Sequence, residues 1–206
     1  MSYLWGLYNQ PVNPVMTNDH NREIDLVTRM AEGDRAAMRM FYDDYSGYLT
    51  VVCSRYVTAR DDVKDVLQDS FIKIFGSMGR FEYRGPGALR AWATKIVVNE
   101  SLRHLEARKR APLPMIAESW GDTDADERPD HESVPAAVVM EMIRALPDGY
   151  RTVFNLFVFE QKSHREIAST LGIAESSSAS QFHRARGMLA RRIKEYVLKN
   201  EKQNYG

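Results

Sequence analysis

Residues 149–197 read GYRTVFNLFVFEQKSHREIASTLGIAESSSASQFHRARGMLARRIKEYV, and this stretch decides the fold. Ser163, followed three residues later by Glu166, forms a capping box that opens a short helix. His164, Ile167, Ala168 and Leu171 recur at i, i+3, i+4 and i+7, one face of that helix. Gly172 ends it, because glycine takes the left-handed conformation that a helix end needs. Ile173 supplies an apolar plug for the turn, and a longer second helix starts near Glu175. Along it Phe182, Ala185, Leu189, Ile193 and Val197 form the stripe expected to be buried, while Ser177, Ser180, Gln181 and Arg184 form a polar stripe. A helix-turn-helix whose second helix begins with Ser, Gln and Arg has the geometry that reads base edges in a major groove. A plain helical hairpin with a solvated polar face satisfies the same spacing.

Charge is informative through its distribution. The 206 residues carry 28 Lys and Arg against 28 Asp and Glu, a formal net charge of zero. Residues 118–132 hold seven acidic side chains and one Arg, whereas residues 181–202 hold seven basic side chains and two acidic ones. A neutral total thus hides basic helix ends and an acidic connector. The hydrophobic fraction of 44% is enough for a buried core. The single Cys53 excludes an internal disulfide, and its neighbours Val51 and Val52 predict a buried thiol. No run approaches the roughly 18 apolar residues of a membrane helix, and no basic segment leads into an apolar one at the N-terminus, so the expected location is cytoplasmic.

Outward from the opening stretch, every periodic segment is helical and none reads as a strand. Residues 1–20 are an irregular extension with two prolines. Ile24, Val27, Met30 and Ala31 repeat at helical spacing until Gly33. Asp34 caps a helix carrying the apolar stripe Met38, Phe41, Tyr42, Tyr45, Leu49, Val52 and Tyr56. Asp61 opens an amphipathic helix, DDVKDVLQDSFIKIFGSM, with Val63, Val66, Leu67, Ser70, Phe71, Ile74 and Phe75 inward. Asp62, Asp65, Gln68, Asp69 and Lys73 lie outward, and on pattern alone an acidic outer face is first a solvated one. Residues 79–88 form a glycine-punctuated loop in which Phe81 and Tyr83 sit beside Arg80 and Arg84. That mixture stacks on unpaired bases, or pins a loop to its core. The next helix turns Trp92, Ile96, Val97 and Leu105 inward, and Lys95, Asn99, Arg103, Arg108, Lys109 and Arg110 largely outward, a basic end suited to phosphates. Periodicity vanishes from 111 to about 134 among prolines and acids, a composition that predicts a flexible linker. The expected fold is therefore all-α: an extension over 1–20, one small helical domain over 21–110, a linker over 111–134, and a helix-turn-helix domain over 135–206.

These features, taken in order, closely resemble the extracytoplasmic-function (group 4) sigma factors of the sigma-70 family. The likeness runs from about residue 23 to 198 and is most specific in the segment Asp61 to Phe71, in Leu146-Pro147 through Ile173, and in the trailing Arg184-Ala185-Arg186. It implies a transcription initiation factor that binds core RNA polymerase, through the clamp coiled coil of its largest subunit and through the flap region, and directs it to −10 and −35 promoter elements. By matching position, it implies polymerase docking by Asp61, Asp65, Gln68 and Asp69. It implies −10 contacts by Arg80, Phe81, Tyr83, Arg84, Lys95, Asn99, Arg103, Arg108, Lys109 and Arg110. For the −35 element it implies Arg165, Ser176, Ser177, Ser178, Ala179, Ser180, Gln181, Arg184 and Arg186. An anti-sigma partner is implied as well. Ala174 stands where many members carry Ser or Pro, which passes the expected N-cap to Ser176, and Ala179 stands where Lys is common.

Two other classes compete with that reading. A stand-alone helix-turn-helix regulator would use residues 23–110 as a sensor. An enzyme would need chemistry that the chain lacks: its five His residues show no HExxH spacing, no Cys cluster suits zinc, and no Ser lies in GxSxG. No catalytic residue, metal or cofactor is expected. Limited proteolysis of the free chain is expected to cut first within residues 111–133 and leave two helical fragments; persistence of that stretch while either domain is nicked would refute the division.

Overall fold

The computed structural model describes residues 20–110 and 134–204, which fall into two compact units, each with its own core. The expected extension and linker lie outside the described residues, except for His20 and Val134 at their edges. Among the described residues every regular element is helical.

The first unit holds α1 (His20–Ala31), α2 (Arg35–Ser54), α3 (Arg60–Ser77), a 3-10 turn at Met78–Arg80, and α4 (Ala88–Arg110). In α1 the buried residues are Leu26 and Met30, whereas Ile24 and Ala31 face solvent. The expected face was thus rotated, since Leu26 and Met30 share a row that Ile24 does not. Gly33, at φ +82°, turns the chain into α2. Asp34 Oδ1 accepts the Ala36 N–H at 2.8 Å, while Oδ2 accepts Arg29 Nε at 2.8 Å, so one carboxylate caps α2 and ties it to α1.

Along α2, Phe41, Tyr45, Leu49, Val52 and Cys53 are buried. The Phe41 ring stacks on Tyr45 at 4.6 Å and meets Phe71 and Phe75 of α3 edge-on at 6.2 and 6.0 Å, the geometry that aromatic quadrupoles favour. Burial pushes the Cys53 thiol above its ordinary value, and Ser101 Oγ lies 3.6 Å from Sγ. α3 begins at Arg60, one residue before the expected Asp61, with no side-chain cap at Ala59. Asp61 and Asp62 in its first turn complement the helix dipole instead. Asp62 and Lys73, expected outward, pair across the α3–α4 seam. Arg108 reaches Asp62 at 2.9 Å, and Lys73 bonds the buried Glu100, which Arg103 also approaches at 3.3 Å. Glu100 is 8% exposed, and a carboxylate taken out of water needs partners, which Lys73 and Arg103 supply; Asp62 finds its own in Arg108.

The second unit holds α5 (Ala136–Arg144), α6 (Asp148–Val158), α7 (His164–Leu171) and α8 (Glu175–Asn204). Its core joins Ile143, Leu146, Phe154, Leu156, Ile167, Phe182, Ala185, Leu189 and Ile193. The capping box forms as read: Ser163 Oγ accepts the Glu166 N–H, and Glu166 Oε2 accepts the Ser163 N–H at 2.8 Å. Gly172 closes α7 at φ 65°, ψ 34°. The buried Arg151 donates to the carbonyls of Leu146 at 2.8 Å and Arg144 at 3.1 Å, and to Asp148 at 2.6 Å. Arg192 adds the carbonyls of Met142 at 2.8 Å and Ala145 at 3.2 Å. Two arginines from other helices therefore satisfy the C-terminal carbonyls of α5, which a helix end otherwise leaves without partners. Fully burying one Leu or Phe contributes roughly 1.5–3 kcal/mol, against at most about 1 kcal/mol for an exposed pair such as Arg39–Asp43. The cores hold each unit, and the polar contacts set where its helices end.

The Arg29 hydrogen bond, followed by the Ala36 N–H, holds the Asp34 carboxyl below the usual carboxylate range. A depressed folded value contributes stability in full above the unfolded range and loses it as pH falls through the folded value, so the loss lies below about pH 4. Asp34→Asn keeps a good N-cap but removes the charge. It is expected to lower the thermal midpoint at pH 7 and flatten its decline below about pH 4, followed by circular dichroism; parallel declines in both proteins would refute the linkage.

Candidate nucleic-acid and partner interfaces

The fold presents three surfaces. On α3, Asp61, Asp65, Gln68 and Asp69 are exposed, and Lys64 pairs with Asp61 at 2.8 Å. Asp65, Gln68, Asp69 and Ile72 recur at i, i+3, i+4 and i+7, so they share one face. Ile72 is 63% exposed at the end of that row, the largest exposure among the big apolar side chains of this fold. Sequence reasoning left Ile72 out, although its place seven residues after Asp65 signalled the shared face. An exposed apolar group at the end of an acidic row suits a partner surface that offers basic groups beside an apolar one.

The second surface is the loop at 81–87 with the outer face of α4. Lys95, Asn99 and Arg103, four residues apart along α4, are all exposed. Arg80 and Arg84 are exposed too, Arg84 with Glu82 at 2.9 Å. Phe81 is half-buried, its ring 5.0 Å from that of Trp92, and therefore anchors the loop. Tyr83 is also half-buried; its hydroxyl lies 3.5 Å from Glu23 Oε2, and burial first, then the Glu23 charge, raises its phenol above the ordinary value. Arg108 is committed to Asp62, which leaves it less available to a phosphate than the sequence implied. The side chains of Lys109 and Arg110 lie outside the described residues.

The third surface is the N-terminal half of α8. α8 starts at Glu175, and Ala174 supplies the first accepting carbonyl, to Ser178 N at 3.1 Å; the N-cap is therefore Ala174 and not Ser176. Ser176, Ser177, Ala179 and Ser180 are exposed, as are Arg184, Arg186 and, on α7, Arg165. Ser180 Oγ donates to the Ser176 carbonyl at 2.8 Å, and Arg184 lies 3.4 Å from the Tyr150 hydroxyl. Gln181 rests against the start of α6, so that a Cβ on Gly149 would lie 3.0 Å from its Oε1.

Ser178 is a correction. It is fully buried, with Oγ 3.0 Å from His164 Nδ1, and cannot reach a base edge. The signal was available, since Ser178 lies four residues before Phe182 and extends the buried stripe by one turn. His164 in turn stacks on Phe157 at 4.7 Å, and Phe157 meets Phe182 at 4.3 Å. This wedge locks α6, α7 and α8 together and sets the angle at which α8 is offered. Among the described residues no His, Cys, Asp and Glu cluster has a metal-holding arrangement.

Residues 136–189 match the family described as Sigma-70, region 4, and residues 41–111 match Sigma-70 region 2. The ECF RNA polymerase sigma-E factor of Haemophilus influenzae is 31% identical over 179 residues, covering 82% of this chain and 93% of the relative. The RNA polymerase sigma-H factor of Pseudomonas aeruginosa is 28% identical over 183 residues, covering 84% of this chain and 93% of that relative. The solved structure of CnrH in complex with the cytosolic domain of CnrY covers 86% of this chain and 99% of its own at 21% identity, with a TM-score of 0.46.

Ser178→Ala removes the partner of a half-buried imidazole, a loss of about 1–3 kcal/mol, whereas Ser177→Ala on the surface is expected to stay within about 0.5 kcal/mol. Urea unfolding of the two variants checks this, and equal midpoints would return Ser178 to the exposed set.

Proposed function

Because this chain belongs to the extracytoplasmic-function sigma factors of the sigma-70 family and so is a transcription initiation factor, we propose that its three surfaces divide the work of bringing core RNA polymerase to a promoter. The carrying observation is that two units matched to regions 2 and 4, in that order, occur in one chain. The match over 41–111 also removes the reading of that block as the sensor of a stand-alone regulator.

The α3 face, with Asp61, Asp65, Gln68, Asp69 and Ile72, docks on the clamp coiled coil of the polymerase, and the second unit engages the flap region. Docking supplies most of the affinity, which suits a chain of zero net charge. The loop and α4 hold the opened −10 strand: Arg80 and Arg84 neutralise phosphates, Tyr83 offers a ring face while Phe81 serves as the anchor beneath it, and Lys95, Asn99 and Arg103 line the path of the backbone. No bond is made or broken, so the reading assigns no intrinsic catalysis; strand opening is driven by binding unpaired bases better than paired ones. In the second unit α8 enters the −35 major groove. Ser176, Ser177, Ala179, Ser180, Gln181 and Arg184 face base edges there, and Arg165 and Arg186 face phosphates. The work lies in the cytoplasm, where polymerase and chromosome are. The family likeness adds an anti-sigma partner that covers one or more of these surfaces until a signal removes it.

Run-off transcription with core polymerase on a promoter library, read for −10 and −35 preference together, tests the assignment. The Asp65→Ala, Asp69→Ala double variant is expected to weaken core binding about tenfold or more. Arg184→Ala is expected to relax −35 preference by about 1–3 kcal/mol at one position. Tight promoter binding by the isolated chain, unchanged by core polymerase, would overturn the reading.

A further inference from the structure

Within the loop at 81–87 the polar contacts are few, a turn from the Ala88 N–H to the Gly85 carbonyl at 3.1 Å and the exposed Arg84–Glu82 pair at 2.9 Å, and its two ends are held by other elements. Gly85 and Gly87 sit at φ +124° and +80°, and a Cβ on either would meet nothing within 4 Å. These glycines are therefore required by backbone conformation and not by close packing. The entrance of the loop is fixed by Phe81 on Trp92, and its exit is fixed from another helix. Glu23, on α1, accepts the Gly87 N–H at 2.8 Å through Oε2 and the Leu89 N–H at 2.9 Å through Oε1. The same Oε2 lies 3.5 Å from the Tyr83 hydroxyl. One carboxylate, 64 and 66 residues away in sequence, thus straddles the end of the loop and the first turn of α4. It satisfies amides that a helix start leaves without partners, at the pole where negative charge is favoured.

We propose that Glu23 is the positioning residue of the −10 loop: its carboxylate sets residues 81–87 in the base-accepting shape before DNA arrives. The proposal rests on the reading of this loop as the site that captures an unpaired base. Glu23 itself is not assigned a DNA contact. A loop held in its bound shape loses less conformational freedom on binding, so releasing it weakens strand capture without touching any contacting side chain.

The test uses the full chain with core polymerase. Glu23→Gln keeps the side-chain size but turns an NH2 toward one of the two amides, and Glu23→Ala removes both acceptors. Each is expected to speed hydrogen exchange at Gly87 and Leu89 at least about tenfold, as loss of a charge-assisted hydrogen bond implies. Each is also expected to weaken binding to a premelted −10 strand by about tenfold, and to narrow the discrimination between consensus and substituted −10 sequences. Core affinity and −35 preference should stay within about twofold. A lowered thermal midpoint with unchanged −10 discrimination would reduce Glu23 to a purely structural cap and overturn the proposal. Arg80→Ala and Arg84→Ala separate this from the underlying reading. If they alter −10 discrimination and the Glu23 variants do not, the inference alone fails. If neither set alters it, the loop is not the capture site and both fail.

Discussion

A helix leaves its first amides and last carbonyls without partners, and a protein made of helices must meet that demand at every end. This chain meets it in two ways. Some ends are closed locally: Asp34 caps α2, Ser163 and Glu166 cap α7, and Gly172 terminates it. Others are closed from a distance, by Glu23 at the start of α4 and by Arg192 at the end of α5, where the neighbouring Arg151 donates as well. The distant closures do more than satisfy hydrogen bonds. Each fixes one helix against another at a single point, and the surfaces assigned to DNA lie beside those points.

The contrast between the two arginine sets follows from this. Arg151 and Arg192 are basic side chains spent on backbone carbonyls, and Arg108 is spent on Asp62, so the positive charge of the sequence overstates what nucleic acid would meet. Arg80, Arg165 and Arg186 remain on the surface. Likewise, the buried Glu100 collects Lys73 and Arg103 at the seam of α3 and α4, so part of the polar face of each helix serves the fold before it serves a partner.

The all-helical fold, the capping box, the Gly172 stop and the buried run Phe182, Ala185, Leu189 and Ile193 were legible because each signal lies within two turns of itself. Residues 61–75 were legible for the same reason, and the outward face appears as read apart from Asp62, half-buried against Arg108; Lys73 is exposed as read, though its ammonium also pairs with Glu100. What escaped was non-local. Nothing near Glu23 announces Gly87, and nothing near Arg192 announces Met142, because those pairings exist only once the chain has folded. Ser178 escaped for a different reason: within three consecutive serines composition gives no hint of which one turns inward, and only its phase against Phe182 tells. The roles of Asp65, Asn99 and Ser177 toward a partner rested on family likeness throughout, since exposure alone does not name what an exposed residue touches.

If α8 reads base edges as proposed, the wedge of His164, Ser178, Phe157 and Phe182 limits how much sequence it samples. With Ser178 turned inward, the side chains proposed to face base edges run from Ser176 to Arg184, eight residue steps, about 12 Å of helix. At 3.4 Å per base pair that is about three to four base pairs of groove. So short a footprint recurs by chance throughout a genome. On the proposed reading, a factor that reads so few pairs with one unit draws its selectivity from requiring a second short word for the other, which makes the spacing between the two words part of the recognised signal as well as their letters.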